Sequence, residues 1–203
     1  MNIQEQYQVA VDTKSDINEH LPILKQYAEK CDHVTEMGAR GGNSSVALMA
    51  ANPNTFISYD YQYDRPEEHL KNSVIALINI FKEMQKDGKN FYYIGKDVLT
   101  VNIEETDMLF IDTWHCYDQL KAELDLHAQK VKKYIAFHDT FLYGETGEGY
   151  PYMDSNHPQR DKLNGTGGIK KAIFEFLEKY PNWKIVYETE NNNGLMVIEN
   201  YAN

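Results

Sequence analysis

Cysteine is nearly absent: Cys31 and Cys116 are the only two in 203 residues, and they form no C-x-x-C pair. That count excludes a disulfide framework and a structural zinc site, and it points to a reduced, cytosolic setting. Positive charge is also short, with 20 Lys and Arg against 31 Asp and Glu and a formal net charge of -11. No basic run compensates, so nucleic-acid backbones and anionic membranes are excluded as general partners. No window approaches the roughly 18 consecutive apolar residues of a membrane span, and the polar N-terminus has no apolar signal region. The chain is therefore read as soluble, unsecreted and cytoplasmic. Internal repeats and low-complexity tracts are absent as well.

What is present suffices for one core. A hydrophobic content of 42% in 203 residues calls for a single domain over 1–203, with residues 1–15 as an N-terminal extension of no clear periodicity. Ser15 or Asp16 can cap a helix with Ile17, Leu21, Leu24 and Tyr27 on one face, and Pro22 inside it predicts a kink. Strands are predicted near His33–Met37, Thr55–Tyr59, Asn90–Ile94, Asp107–Ile111 and Tyr134–Phe137. Helices are predicted from about Pro66 to Lys86, from Tyr117 to Val131 and from Ile169 to Tyr180. The stripe of Leu70, Val74, Leu77, Ile78, Phe81 and Met84 on the first of these is most simply core packing. At the C-terminus, Trp183–Glu188 and Leu195–Glu199 flank an Asn-rich, Gly-containing turn, which is a hairpin signal. Alternating strands and helices imply an α/β, Rossmann-like, seven-stranded sheet, mostly parallel, with helices on both faces and an antiparallel hairpin at its end.

The most informative segment runs from His33 to Ser45. An apolar strand enters a glycine-rich turn that opens a helix, and Gly38, Gly41 and Gly42 remove Cβ atoms where the backbone must turn or approach a ligand. Asn43, Ser44 and Ser45 are suited to cap the helix. Asp60 ends the second strand 19 residues after Gly41, where a Rossmann-type site places a carboxylate on a ribose. Together they point to a nucleoside-containing ligand, either a dinucleotide or S-adenosylmethionine. Glu36 favours the latter, since a carboxylate there repels a pyrophosphate but can accept from an ammonium group or orient the loop. An antiparallel hairpin finishing the sheet points the same way.

Ligands of such sheets sit beyond the carboxyl ends of the strands. Those ends carry Glu36, Asp60, Asp97, Asp112 with His115, and His138 with Asp139. Each alone is an ordinary cap or turn residue; acids or imidazoles at five successive strand ends are not.

These residues carry a resemblance. Glu36-x-Gly38-x-x-Gly41-Gly42-x-Ser44, Phe110-Ile-Asp112-x-x-His115-x-Tyr117, Phe137-His138-Asp139-Thr140 and Gly168-Ile-Lys-Lys-Ala-Ile-Phe-Glu-Phe176 resemble the class I S-adenosylmethionine-dependent methyltransferases. Within them the chain is similar to the small O-methyltransferase-like branch that includes cephalosporin hydroxylase-like and macrocin-type enzymes, over roughly residues 16 to 199. The resemblance implies that the loop from Glu36 through Gly38, Ala39, Gly41 and Gly42 to Ser44 holds the methionine part of the cofactor. It implies Asp60 on the ribose hydroxyls, Asp97 near the adenine amine and Asp112 close to the methyl-bearing sulfur. In metal-dependent relatives, carboxylates ending strands four and five bind a divalent ion such as magnesium or manganese, matching Asp112 and Asp139. His138 stands where some relatives have a second acid, and imidazole suits manganese, iron or zinc better than magnesium.

Methyl transfer needs an acceptor oxygen held close to the sulfonium methyl and a sink for its proton. His115, His138 and Asp112 are the candidate catalytic residues, either imidazole serving as proton acceptor or as a structural partner of the acids. Residues 141–168 hold Tyr143, Tyr150, Tyr152, His157 and Arg160 without periodicity, either a substrate lid suited to a polyol or sugar or a flexible surface insertion. The expected acceptor is a hydroxyl of a small molecule or glycan, and a homo-oligomer is compatible with the sequence. A catalytically inactive binding protein of the same fold and a nicotinamide-dependent oxidoreductase are the alternatives.

Overall fold

Short runs rich in β-branched and aromatic residues form five parallel strands: β1 (His33–Met37), β2 (Thr55–Tyr59), β3 (Asn90–Ile94), β4 (Thr106–Ile111) and β5 (Val131–His138). In this computed structural model, which describes residues 1–61, 70–149 and 163–202, two further strands follow, β6 (Trp183–Thr189) and β7 (Leu195–Asn200). They form the antiparallel hairpin, and β7 also pairs antiparallel with β5. The spatial order is β3-β2-β1-β4-β5-β7-β6. This is the seven-stranded, mostly parallel sheet that the alternation predicts.

Both faces of the sheet are covered, which explains why its strands read as continuous apolar runs rather than as alternating ones. Val34, Phe56, Met108 and Phe110 point to one side, where they meet α2 (Leu21–Ala28), α3 (Asn43–Ala50) and α4 (Lys71–Lys86). Met37, Ile57, Leu109 and Ile111 point to the other, against α5 (Tyr117–His127) and α6 (Ile169–Lys179). On α6 the buried residues Ile169, Ala172, Ile173 and Phe176 recur at helical spacing, so its inner face is set directly by the sequence. Helix α3 is different: every residue from Ser44 to Ala50 is buried, and its sequence carries no amphipathic signal because it lies under the N-terminal helices.

Three local expectations are corrected and a fourth falls outside the described residues. Residues 3–12, which show no periodicity, form helix α1 (Ile3–Asp12), started by a capping box between Asn2 and Glu5 and packed on α3 through partly buried side chains such as Ile3 and Tyr7. The helix expected from Ser15 or Asp16 begins at Leu21 after a 3-10 turn over Asn18–His20, so Pro22 lies in its first turn and causes no kink. At α3 the cap is Gly42, left-handed at φ 91°, and Ser44 and Ser45 are turned inward instead of capping. The described part of the long helix starts at Lys71; the expected start at Pro66 lies outside the described residues.

The connections from β1 and β4 run to opposite sides of the sheet, so a crevice opens between their carboxyl ends. Gly38 closes the floor of that crevice. A Cβ on it would stand 1.9 Å from the Asp112 carbonyl oxygen, and its φ of 86° is in the left-handed region. Gly38→Ala is therefore expected to destabilise the fold by about 3 kcal/mol or more, since neither backbone can yield. Urea unfolding with an unchanged m-value is the check.

Candidate active site

A cavity of ≈ 530 Å³ occupies this crevice, within the roughly 300–1,000 Å³ typical of small-molecule sites. The glycine loop forms one wall through Gly38, Ala39, Gly41 and Ser44, and Asp60, Asp97, Asp112, His115, His138 and Asp139 line the rest. Apart from Glu36 and Gly42, every residue expected at the site reaches the cavity. Glu36 is wholly buried beneath the loop, with Oε2 accepting from the hydroxyls of Ser45 and Ser58, both at 2.5 Å. It therefore orients the loop, one of its two expected roles, and does not face the cavity. A Cβ on Gly42 would press on the Leu77 side chain at 2.9 Å, so that glycine serves packing. Gly41 has no neighbour nearer than 3.9 Å and is the one of the three whose missing side chain leaves room at the cavity wall.

Asp60 ends β2 and accepts from the backbone N–H groups of Ala39 (3.0 Å) and Arg40 (2.7 Å) through Oδ2. It thereby holds the loop while lining the cavity. Asp97 accepts from Leu99 N at 2.9 Å and starts the short 3-10 turn after β3.

The densest chemistry lies where β4 and β5 end. His115 Nε2 stands 2.8 Å from Asp139 Oδ2 and 3.2 Å from Asp112 Oδ1, while His138 Nδ1 is 3.1 Å and 3.4 Å from the same two oxygens. Asp139 is left-handed, φ 59°, a strained conformation that turns its carboxylate back toward Asp112. Burial opposes charge throughout, and close pairing overcomes it. The two acids lift His138 to about 10 and His115 well above its ordinary value, and the two imidazoles hold both acids below the usual carboxylate range.

Further residues reach this cluster, and of them only Tyr143, expected as part of the lid, carried a sequence signal. Glu148 Oε2 lies 2.9 Å from His115 Nδ1, and the Glu148 N–H donates to the His115 carbonyl. Tyr143 stacks on the His115 ring, interplanar angle 1°. Asn192, in the β6–β7 turn, offers its carbonyl to His138 Nε2 (3.2 Å) and His20 Nε2 (3.0 Å), and its side chain binds Glu19 N and Ser15 O. The Asn-rich turn was legible as a hairpin, but its contact with the N-terminal segment 173 residues away was not. The described ends of the expected lid are tied down by hydrogen bonds, Gly149 N to Gly165 O and Ile169 N to Tyr143 O among them. Tyr150, Tyr152, His157 and Arg160 lie outside the described residues.

No protein-family model matches the chain, and no curated protein matches it in sequence. Solved structures do match in fold. The O-methyltransferase from Bacillus cereus, in complex with SAH, is similar with TM-score 0.57 and 16% identity over 98% of this chain and 90% of that one. The chain has the class I methyltransferase fold. The O-methyltransferase TomG from Streptomyces achromogenes, in complex with SAM, is similar with TM-score 0.53 and 16% identity, covering 93% and 81%. The N-terminal domain of EvdMO1, in the presence of SAH and D-fucose, gives TM-score 0.54 and 12% identity, covering 100% and 98%. Within this methyltransferase fold no helix among the described residues is long and apolar enough to cross a membrane.

Two more buried acids border the site. Burial pushes Glu36 up to about 7, against the pull of its serine partners. It pushes Glu123 up to about 7 as well, against hydrogen bonds from Thr113 and Gln119. A carboxyl group raised above its unfolded value favours the fold below that unfolded value, and the contribution is lost as pH rises through about 7. Thermal stability should fall between pH 5 and pH 8, and Glu123→Gln should make that slope shallower. Equal slopes in calorimetric scans of the two proteins would refute the assignment.

Proposed function

We propose that the chain is an S-adenosylmethionine-dependent O-methyltransferase acting on a hydroxyl of a small molecule or sugar, with a divalent cation assisting. The observation that carries this reading is the charge of the cavity. Six carboxylates line it among the described residues, Asp16, Asp60, Asp97, Asp112, Asp139 and Glu148, against one permanent cation, Arg40. Such a site suits a cofactor bearing a sulfonium and an ammonium, and it repels the pyrophosphate of a nicotinamide dinucleotide. The fold supports the same cofactor, as do neighbours crystallised with SAM or SAH. A neighbouring domain studied with D-fucose supports including sugar hydroxyls among the acceptors.

When bound, S-adenosylmethionine supplies an electrophilic methyl group. Asp60 and the backbone around Gly41 would hold its ribose and methionine parts, and Asp97 and Thr113 would flank its adenine. A cation held by Asp112 and Asp139 would acidify the acceptor hydroxyl. The residues fit such an ion: Asp112, His138 and Asp139 each offer a ligand atom within 4.8 Å of the others, and Asp139 Oδ1 is buried with no hydrogen-bond partner.

His115 is the proton acceptor in this reading. Glu148 takes the hydrogen bond from Nδ1, which leaves Nε2 facing the cavity and the two acids. Neutralising Asp112 and Asp139 would remove two of the three carboxylate partners that raise His115 and so lower its hold on a proton, with Glu148 still orienting the ring. As the acceptor oxygen takes the methyl group that the cofactor would supply, His115 Nε2 would take the hydroxyl proton. Tyr143, stacked on the ring, prevents its rotation.

Calorimetry should give saturable binding of S-adenosylmethionine and none of NADH. Gly41→Ala should weaken it about tenfold or more while leaving the melting temperature within about 2 °C, because the added methyl would meet Leu70 and Ser73 only at ordinary contact distance, 3.9 Å, while narrowing the cavity wall. Loss of stability in that variant, or tight NADH binding, would sink the reading. Across a panel of sugar and aromatic hydroxyl acceptors, His115→Gln should lower turnover by about a hundredfold or more and keep cofactor affinity within about threefold. Undiminished transfer would remove His115 as the base.

A further inference from the structure

We infer that the cation site selects a first-row transition metal ion over magnesium, because His138 Nδ1 is a prearranged third ligand beside Asp112 and Asp139. The inference rests on the proposed cation site and deepens it.

The argument turns on which ring nitrogen carries the proton. His138 Nε2 faces two backbone carbonyls, Asp16 O and Asn192 O, each at 3.2 Å. Carbonyl oxygens only accept, so Nε2 must keep its hydrogen. Nδ1 is then the nitrogen turned to Asp112 Oδ1 and Asp139 Oδ2: it carries the proton that pairs with them, and a cation seated among the three would displace that proton and meet the Nδ1 lone pair. Outer hydrogen bonds of this kind fix the tautomer and orientation of metal-bound histidines.

Spacing agrees with ligation. Two atoms about 2.1 Å from one ion and at right angles to each other stand about 3 Å apart. The Nδ1 to carboxylate distances of 3.1 and 3.4 Å are close to that. The ring cannot swing aside, since it is buried at 3% exposure and meets His20 edge-on at 5.3 Å. Asn192 holds both histidines on its carbonyl and is itself anchored to Ser15 and Glu19. A set of two carboxylates and one imidazole lowers the site's fit for magnesium, which dehydrates reluctantly and takes oxygen ligands, and raises it for ions that accept nitrogen.

The test titrates the metal-stripped full chain, saturated with SAH, with cobalt(II) and separately with magnesium. Wild type should bind cobalt(II) about a hundredfold more tightly than magnesium, and His138→Asp should cut that ratio about tenfold or more through weaker cobalt and stronger magnesium binding. An unchanged ratio in a folded His138→Asp protein overturns the inference. A second measurement uses wild type alone. Proton NMR of the cobalt(II) form should show a contact-shifted, exchange-protected imidazole N–H, the Nε2–H held by Asp16 and Asn192; its absence also overturns the inference. The two readings separate cleanly. Cobalt selectivity without SAH binding leaves the metal inference standing and removes the methyltransferase reading, and SAH binding without any cation binding overturns the inference and leaves methyl transfer without its assisting cation.

Discussion

The close approach of two strand ends is the constraint on which the rest depends. Gly38 follows β1 and Asp112 follows β4, and their backbones meet where no Cβ fits. Asp112 N donates to Met37 O and Gly38 N to Tyr59 O, so the ladder continues past the strands into the site itself. Everything chemical is mounted on this joint. The glycine loop departs from it on one side and the Asp112–His115 turn on the other, and the cavity is the gap between them. Because the joint is made of backbone, its geometry is insensitive to surface side chains and intolerant of a single methyl group.

Charge is balanced at the site by contact rather than by exposure. Asp112, Asp139 and Glu148 surround His115, and His138 sits against the first two. Separately, each of these buried ions would be costly, and together they satisfy one another. The arrangement is responsive for the same reason: a cation placed between Asp112 and Asp139 changes the protonation both imidazoles prefer. Strain at Asp139 and the left-handed Asn192 and Asn193 mark the segments that hold the cluster in register. Asparagine tolerates that conformation better than other residues with a side chain, which gives the Asn-rich turn a physical reason beyond closing a hairpin.

Legibility in the sequence followed the range of the interaction. Strand positions, the hairpin, the inner face of α6 and the polar strand ends that line the cavity all depend on local pattern, and each was readable. Helix α1 was not, because its ten residues carry only a shallow apolar stripe and depend on packing against α3. Glu36 looked like a ligand residue because it precedes the glycines, yet alternation along β1 turns its side chain under the loop. Glu148 and Asn192 carried no signal, since one lies 33 residues from His115 and the other 54 from His138.

By itself the sequence determined the order of strands and helices, the coverage of both sheet faces and the residue types at the carboxyl ends of the strands, because periodicity and glycine placement are properties of neighbours along the chain. Only the tertiary structure decided which of those residues share a cavity, which proton His138 keeps and what holds His115. Those outcomes depend on distances between segments far apart in sequence, and a hydrogen bond forms only where folding brings donor and acceptor within about 3 Å.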